Sequence, residues 1–268
     1  MIRVVAYNVS GGLDLGAAAT VLRDLDPRIV CVLEAPGAAR LKRLAGSAGL
    51  RVAARSGRRG AGTAVLVHAD VRVSSTAGVP LRTPRDVPRR EATHVIARIG
   101  GLRLSVTAVQ LGLRPEYRRA NLEQLQTFLD TVDAPSIVGC DLNESTRSPV
   151  AAALAERFLD AHAVAGTGGG ETYPTVDPST RQDFVFVDRS LRVLGSFVPT
   201  QHPVAIASHH RPVVADVAGF ADDATRLPLE DRGLRPQPPS VRPGDDPAAG
   251  PAATGPAAPD HQPRRRPA

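Results

Sequence analysis

The chain has 268 residues, including 24 Pro, 24 Gly and 2 Cys but no Trp, a length that suits one large domain or two small ones. Two cysteines cannot make a disulfide scaffold, Gly and Pro show no collagen-like period, and no apolar run approaches the roughly 20 residues that cross a bilayer. The formal charge is +6, and of the 33 basic residues all but Lys42 are Arg, the side chain whose planar fork best matches phosphate, so a phosphate-bearing partner is favoured.

The first residues, Met1 to Asn8, read as a strand from the start rather than as a signal peptide. A cytoplasmic protein with reduced Cys31 and Cys140 is therefore expected. Apolar runs rich in Val, Ile and Leu follow at 2–7, 28–35, 62–68, 92–99, 102–109, 135–140, 183–187, 191–198 and 213–217, each predicting a strand. Helical patterns fill 14–25, 36–47, 115–131 and 147–157, the clearest carrying Leu122, Leu125, Phe128 and Leu129 as one apolar stripe. The runs 92–99 and 102–109, joined through Gly100-Gly101, predict an antiparallel hairpin. Hairpins mixed with helical crossovers predict an α/β sandwich rather than a doubly wound parallel sheet. The Gly-rich run 166–170 lacks the Lys-Ser/Thr of a phosphate loop and reads as a flexible loop.

The last segment, 221–268, holds 11 of the 24 prolines, and its seven acidic residues balance its seven Arg. Such a segment cannot bury enough apolar surface to offset its ordering entropy, so a disordered tail is expected. The domain is then 1–220, and the whole surplus of positive charge sits on it.

Polar residues gather where predicted strands end. Asn8 ends the first strand, and Glu34 closes the run 29–33. Asp141 and Asn143 follow 136–140, Asp183 opens 184–187, and His210 precedes 213–214. Open α/β sheets commonly build their sites at strand ends. Singly, each has a plain explanation as a turn former, a helix cap or a solvated strand end. Together the types make chemical sense. Carboxylate and amide oxygens suit Mg²⁺, which also keeps much of its water. Such an ion would polarise a phosphoryl oxygen, while a His oriented by an Asp would take a proton or stabilise developing charge.

The segments Tyr7-Asn8-Val9, Val32-Leu33-Glu34, Gly139-Cys140-Asp141-Leu142-Asn143, Arg181-Gln182-Asp183-Phe184-Val185-Phe186 and Ser208-His209-His210-Arg211-Pro212-Val213 resemble, in order and spacing, the motifs of the endonuclease/exonuclease/phosphatase family, the deoxyribonuclease I-like superfamily. The resemblance spans about residues 1–219 and implies a four-layered α/β sandwich that cleaves phosphate esters with Mg²⁺, or with Mn²⁺. By position, Glu34 resembles the principal metal carboxylate with Asn8 beside it. Asp141 and Asn143 resemble the pair that orients nucleophile and phosphate. His210 resembles the catalytic His and Asp183 its partner.

Two positions depart from the pattern. Gln110 stands where the family usually has His; an amide can hydrogen-bond a phosphate oxygen but cannot act as acid or base near neutral pH. His209 stands where Asp normally precedes the catalytic His, and imidazole can ligate a metal, with a preference for Zn²⁺ or Mn²⁺ over Mg²⁺. Ser10 is a lesser departure, because some nucleases of the family have an acid there. Ser208 beside His209 lacks the surrounding pattern of a nucleophile elbow.

Arginines cluster at 55, 58 and 59, at 82, 85, 89 and 90, and at 114, 118 and 119. The resemblance implies that the first and third lie near the catalytic rim, with Arg59, Arg114 and Gln110 as candidate phosphate contacts. Few aromatics are left free to stack on unpaired bases, so contact with the phosphate backbone is expected. The expected function is a monomeric, sequence-tolerant nuclease acting on DNA or RNA. A family member that binds nucleic acid or a phosphorylated ligand without cleaving it is the alternative. A phosphomonoesterase or lipid phosphodiesterase is a further one.

Overall fold

The computed structural model describes residues 1–57, 62–86 and 89–219. The expected tail, and Arg58 and Arg59 of the first arginine cluster, lie outside these residues. Within them the chain runs β1 (Ile2–Asn8), α1 (Leu15–Leu25), β2 (Ile29–Leu33), α2 (Ala38–Ser47), β3 (Arg51–Ser56), β4 (Thr63–Val67), β5 (Arg72–Leu81), β6 (Arg90–Ile99) and β7 (Leu102–Gln110). It continues through α3 (Pro115–Leu129), β8 (Ser136–Asp141), α4 (Pro149–Arg157), β9 (Phe158–Asp160), α5 (Ala161–Ala165), β10 (Gly166–Thr167), β11 (Asp183–Asp188), β12 (Arg192–Phe197), α6 (Val204–Ala207) and β13 (Val213–Ala218).

Two mixed sheets form, ordered β10-β12-β13-β1-β2-β4-β3 and β5-β6-β7-β8-β11-β9. Alternation along each strand divides the core. Val4 and Ala6 of β1, Cys31 and Leu33 of β2, Val106 and Ala108 of β7 and Val185 and Val187 of β11 belong to the core shared by the two sheets. Their neighbours Val5 and Tyr7, with Val30 and Val32, instead meet α1 and α2. On the second sheet Val109, Val138, Cys140, Phe184 and Phe186 meet α3 and α4. Because the central strands are covered on both faces, their sequences are continuous apolar runs. The result is the expected four-layered sandwich, helices outside and two sheets within.

Local chemistry fixes the helix starts. Asp14 caps α1 by accepting from the Ala17 amide, Ser148 caps α4 by accepting from that of Ala151, and α3 and α4 each carry Pro in the first turn. The β6–β7 hairpin turns through Gly100 and Gly101 at φ of 54° and 88°, the left-handed conformation that a two-residue turn requires.

Some expectations need correction. The strands β3 and β5 lie at sheet edges and lack a buried apolar alternation, which is why hydrophobic patterning does not reveal them. The first residues of the Gly-rich run are not wholly loop: Gly166 and Thr167 pair with Ser196 and Phe197 of β12, through backbone groups that leave no side-chain signal. No helix among the described residues is long and apolar enough to cross a membrane.

His94, on β6, illustrates how the fold treats buried polar groups. It is 4% exposed, its Nδ1 is 3.1 Å from Thr107 Oγ1, and its ring meets Phe128 edge-on. Burial pushes it down from 6.5 to about 4. Between these values the unfolded chain binds a proton that the folded chain refuses, so stability falls as pH drops from 6.5 toward 4. After discounting for solvent screening, the loss attributable to His94 is on the order of 2 kcal/mol. Urea unfolding of wild type and His94→Gln at both ends of this range checks it: the variant should show the shallower pH dependence.

Candidate active site

Strand register brings the polar residues together. Asn8 ends β1 opposite Leu33 of β2, and Glu34 follows one residue later. In the second sheet Gln110 of β7 and Asp183 of β11 both pair with Asp141 of β8. The two groups then meet across the sandwich. Asn8 Nδ2 donates to Asp141 Oδ2 at 3.0 Å and to Glu34 Oε1 at 3.2 Å. Gln110 Nε2 donates to the same two oxygens at 3.0 and 2.9 Å. The two side-chain amides thus hold two carboxylates from different sheets at one point.

The remaining bonds fix the turns. Asn143 donates its backbone N–H to Asp141 Oδ1 at 2.9 Å and its amide to Leu111 O at 2.9 Å. Asn8 Oδ1 accepts from Ser10 N at 2.9 Å. Five non-glycine residues among those described have positive φ, and Ser10, Glu34 and Asn143 are three of them, at 47°, 49° and 52°. Each costs on the order of 1–2 kcal/mol of backbone strain, which persists where surrounding structure imposes it and is a frequent mark of functional sites.

His210 completes the cluster. Its Nδ1 lies 2.8 Å from Oδ2 of the fully buried Asp183, and the Tyr173 ring covers it at 4.8 Å between centroids. One ligand atom each from Asp141, Asp183 and His210 fall within 4.8 Å of one another. Burial alone would lower His210, but the charge and hydrogen bond of Asp183, with Asp141 and Glu34 beyond, hold it up at about 9. Asp141 is pushed up to about 6, first by burial and then by the charge of Asp183, against the pull of His210 and of the bonds from Asn143 and Gln110. Asp141 and His210, in one buried cluster, are thus both raised above their ordinary values, for different reasons.

Of the expected site residues, Asn8, Glu34, Gln110, Asp141, Asn143, Asp183 and His210 come together. His209 does not join them: its imidazole is exposed, and its backbone N donates to Ser10 Oγ at 3.2 Å. Arg114 is exposed at the start of α3 with no capping bond from its side chain, and Arg59 lies outside the described residues. Arg118, of the third cluster, lies beside the turn that follows Asn143. It is buried, ion-paired through Nε to Glu144 at 2.5 Å and bonded to the carbonyls of Leu113 and Gly112, so it anchors the turn after Asn143 rather than facing a ligand.

Sequence reasoning missed two contributions. Arg90, from the second arginine cluster, donates to Gln110 Oε1, which puts that cluster beside the acidic group. Ser208 donates to Asn8 O at 2.6 Å and accepts from His210 N at 3.3 Å; it staples the His210 loop to the end of β1, and its hydroxyl is committed to that task. Membership of an arginine cluster was the signal for Arg90, and a place at the start of the last motif segment the signal for Ser208.

The fold and this constellation define a class. The profile of the Endonuclease/Exonuclease/phosphatase family matches residues 5–210, and the chain belongs to this family, whose members are metal-dependent phosphoric ester hydrolases that include nucleases, phosphatases and phosphodiesterases. Among solved structures it is similar to a functionally unknown conserved protein from Enterococcus faecalis V583, at 18% identity and a TM-score of 0.72, over 81% of this chain and 100% of that one. It is also similar to the mannosyl-6-phosphatase of Bacteroides thetaiotaomicron VPI-5482, at 16% identity and 0.70, over 81% and 100%. The human Nocturnin catalytic domain with bound sulfate anion aligns at 15% identity and 0.61, over 82% and 93%. At such identities the likeness establishes the fold. No curated protein sequence matches the chain.

Proposed function

We propose that the domain, residues 1–220, is a phosphodiesterase dependent on Mg²⁺ or Mn²⁺, and specifically a sequence-tolerant nuclease. The observation that carries this reading is the convergence of Glu34, Asp141, Asp183 and His210, drawn from two sheets, around two cross-linking amides.

The donor set fits a hard divalent cation. Glu34 and Asp141 offer carboxylate oxygens, and Asp183 Oδ1 is buried without a hydrogen-bond partner among the described residues. Glu34 would hold the ion, with Asn8 beside it. When bound, such an ion polarises a phosphoryl oxygen and stabilises the leaving oxygen. The chain's own groups do the rest. Asp141 and Asn143, held on one turn, orient a water for in-line attack on phosphorus. Asn143 Oδ1 has no protein partner among the described residues. His210, fixed by Asp183 at Nδ1, presents Nε2 to the phosphoryl oxygens, where charge develops.

The preference for a strand over a base-reading substrate rests on the aromatics. Among the described residues Tyr7, Phe158, Phe184 and Phe186 are buried, and Tyr173, 39% exposed with its ring against His210, is a platform at the site. One platform suits backbone contact with little base selection. A second reading, a member that binds phosphorylated ligands without cleavage, is favoured by Gln110, an amide with no acid–base capacity that is engaged with both carboxylates.

Plasmid nicking and bis-p-nitrophenyl phosphate hydrolysis with Mg²⁺ or Mn²⁺ test the choice. Glu34→Ala and His210→Ala should each lower turnover by about 10²–10⁴-fold. Absence of turnover with every metal, or full turnover in both variants, would overturn the proposal. Faster release from p-nitrophenyl phosphate than from the diester would move it to phosphomonoesters.

A further inference from the structure

We propose that the cavity walled by Arg82, Arg85, Arg89 and Arg90 is an anion subsite that holds a second phosphate group of the substrate, beside the one being cleaved. The inference rests on the function proposed above and narrows it to esters that carry at least two phosphates.

The cavity, of about 530 Å³, lies within the range typical of ligand pockets. Its described lining comes from residues 80–85, at and just after the end of β5, and from 89–91, at the start of β6. The near end of the segment between β5 and β6 is tied down: the Arg82 amide donates to Gln124 Oε1 at 2.7 Å, and the Arg82 carbonyl accepts from Asn121 Nδ2 at 2.7 Å, both on α3. At the far end the Arg90 amide donates to Thr83 Oγ1 at 3.2 Å. The backbones of Arg82 and Arg90 are therefore held in place.

Charge in this cavity is unbalanced. Among the described residues four arginines line it, and Glu91 is the one acidic residue that does so. Glu91 is itself turned toward another task, since its Oε2 accepts from Gly57 N at 3.1 Å. Asp86 lies exposed on the same segment but does not line the cavity. Among the described residues neither Arg82, Arg85 nor Arg89 forms an ion pair, whereas Arg3, Arg28, Arg118, Arg157 and Arg181 do. Concentrated like charge in a concave surface raises the local potential and draws a polyanion.

Position gives the cavity its meaning. Arg90 faces both regions: it lines the cavity and donates to Gln110 Oε1, while Gln110 Nε2 donates to Glu34 and Asp141. An anion held by Arg82, Arg85 and Arg89 is thus one side chain away from the acidic group. A phosphate there would sit next to the scissile one on the same molecule, supplied either by the neighbouring nucleotide of a strand or by a small bisphosphate. Gln110 becomes a positioning residue that holds Arg90 between the two, a task that its amide oxygen performs and a protonated imidazole could not.

Calorimetric titration with pyrophosphate in EDTA tests this without turnover or metal. The variant Arg82→Ser/Arg85→Ser/Arg89→Ser should lose about tenfold or more in affinity. Arg72→Ser/Arg98→Ser, which removes two exposed charges from the opposite end of the same strand pair, should match wild type. Equal affinity in the triple variant and wild type, or equal loss in both variants, would overturn the subsite. Thymidine 3′,5′-bisphosphate and an oligothymidylate strand then separate the sources. A strand source shows as a loss confined to the oligonucleotide, with the salt slope reduced by about 2 for three lost contacts. A small bisphosphate source shows as an equal loss with both. Loss of ester turnover with Arg-dependent binding intact would count against the catalytic reading and not against the subsite.

Discussion

Asp183→Asn is expected to lower kcat on the order of 10³-fold while leaving the protein folded. The substitution keeps size and shape at a position with no exposure, so no cavity opens. What disappears is the negative charge 2.8 Å from His210 Nδ1. That charge, with the hydrogen bond it makes, is what outweighs burial and holds His210 at about 9. With a neutral amide in its place burial prevails, the imidazolium is disfavoured, and the amide's N–H₂ can turn the ring to the wrong tautomer. Orientation and charge fail together, which is the source of the large factor.

Stability should change far less, by under about 2 kcal/mol, because His210 can go neutral rather than stay as an unpaired buried charge. The same change also removes a repulsion, since the charge of Asp183 contributes to the raised position of Asp141. Diester turnover and urea unfolding on one preparation separate the effects. Turnover within tenfold of wild type would show that Asp183 does not act through His210.

The sequence made much of this site legible, for a physical reason. Buried strands must be apolar on both faces, so an Asn, Glu or Asp at the end of such a run stands out, as Asn8, Glu34 and Asp141 do. What it could not reveal is which strands are neighbours. That Gln110 and Asp183 flank Asp141 depends on β7, β8 and β11 being adjacent, and that Asn8 reaches Asp141 depends on how the two sheets face each other. The edge strands β3 and β5 were invisible because few of their side chains are buried, which leaves no apolar period to read. Arg118 and Arg90 show the limit most sharply. Both belong to arginine clusters, yet one is spent on Glu144 and the other reaches Gln110. Only tertiary neighbours separate a structural guanidinium from one facing a ligand.

Gly139→Ala is expected to be the most damaging small substitution in the core, and to damage the site as well. Gly139 lies in β8 between Ala108 of β7 and Val185 of β11, with β2 of the other sheet directly across. A Cβ added there would lie 2.4 Å from Cys31 Cβ, 2.7 Å from Cys31 Sγ and 3.3 Å from Ala6 Cβ. The first of these atoms is fixed to backbone, so rotation of the thiol cannot relieve the contact and the sheets must part. Overpacking of this kind costs about 3 kcal/mol. Separation would act where it matters, because Gly139 is two residues from Asp141 and Cys31 three from Glu34, the carboxylates that Asn8 and Gln110 hold together at 2.9–3.2 Å. A shift on the order of 1 Å there should cost about 10²-fold in turnover. The second-site test is specific. Cys31→Gly removes the clashing Cβ and should restore more than half of the stability lost relative to Cys31→Gly alone, whereas Cys31→Ala keeps that Cβ and should restore little. Urea unfolding of Gly139→Ala, the two Cys31 single variants and the two double variants measures the coupling. A Gly139→Ala protein within about 0.5 kcal/mol of wild type would mean that the sheets can yield at this point, and that the acidic group does not depend on their close approach.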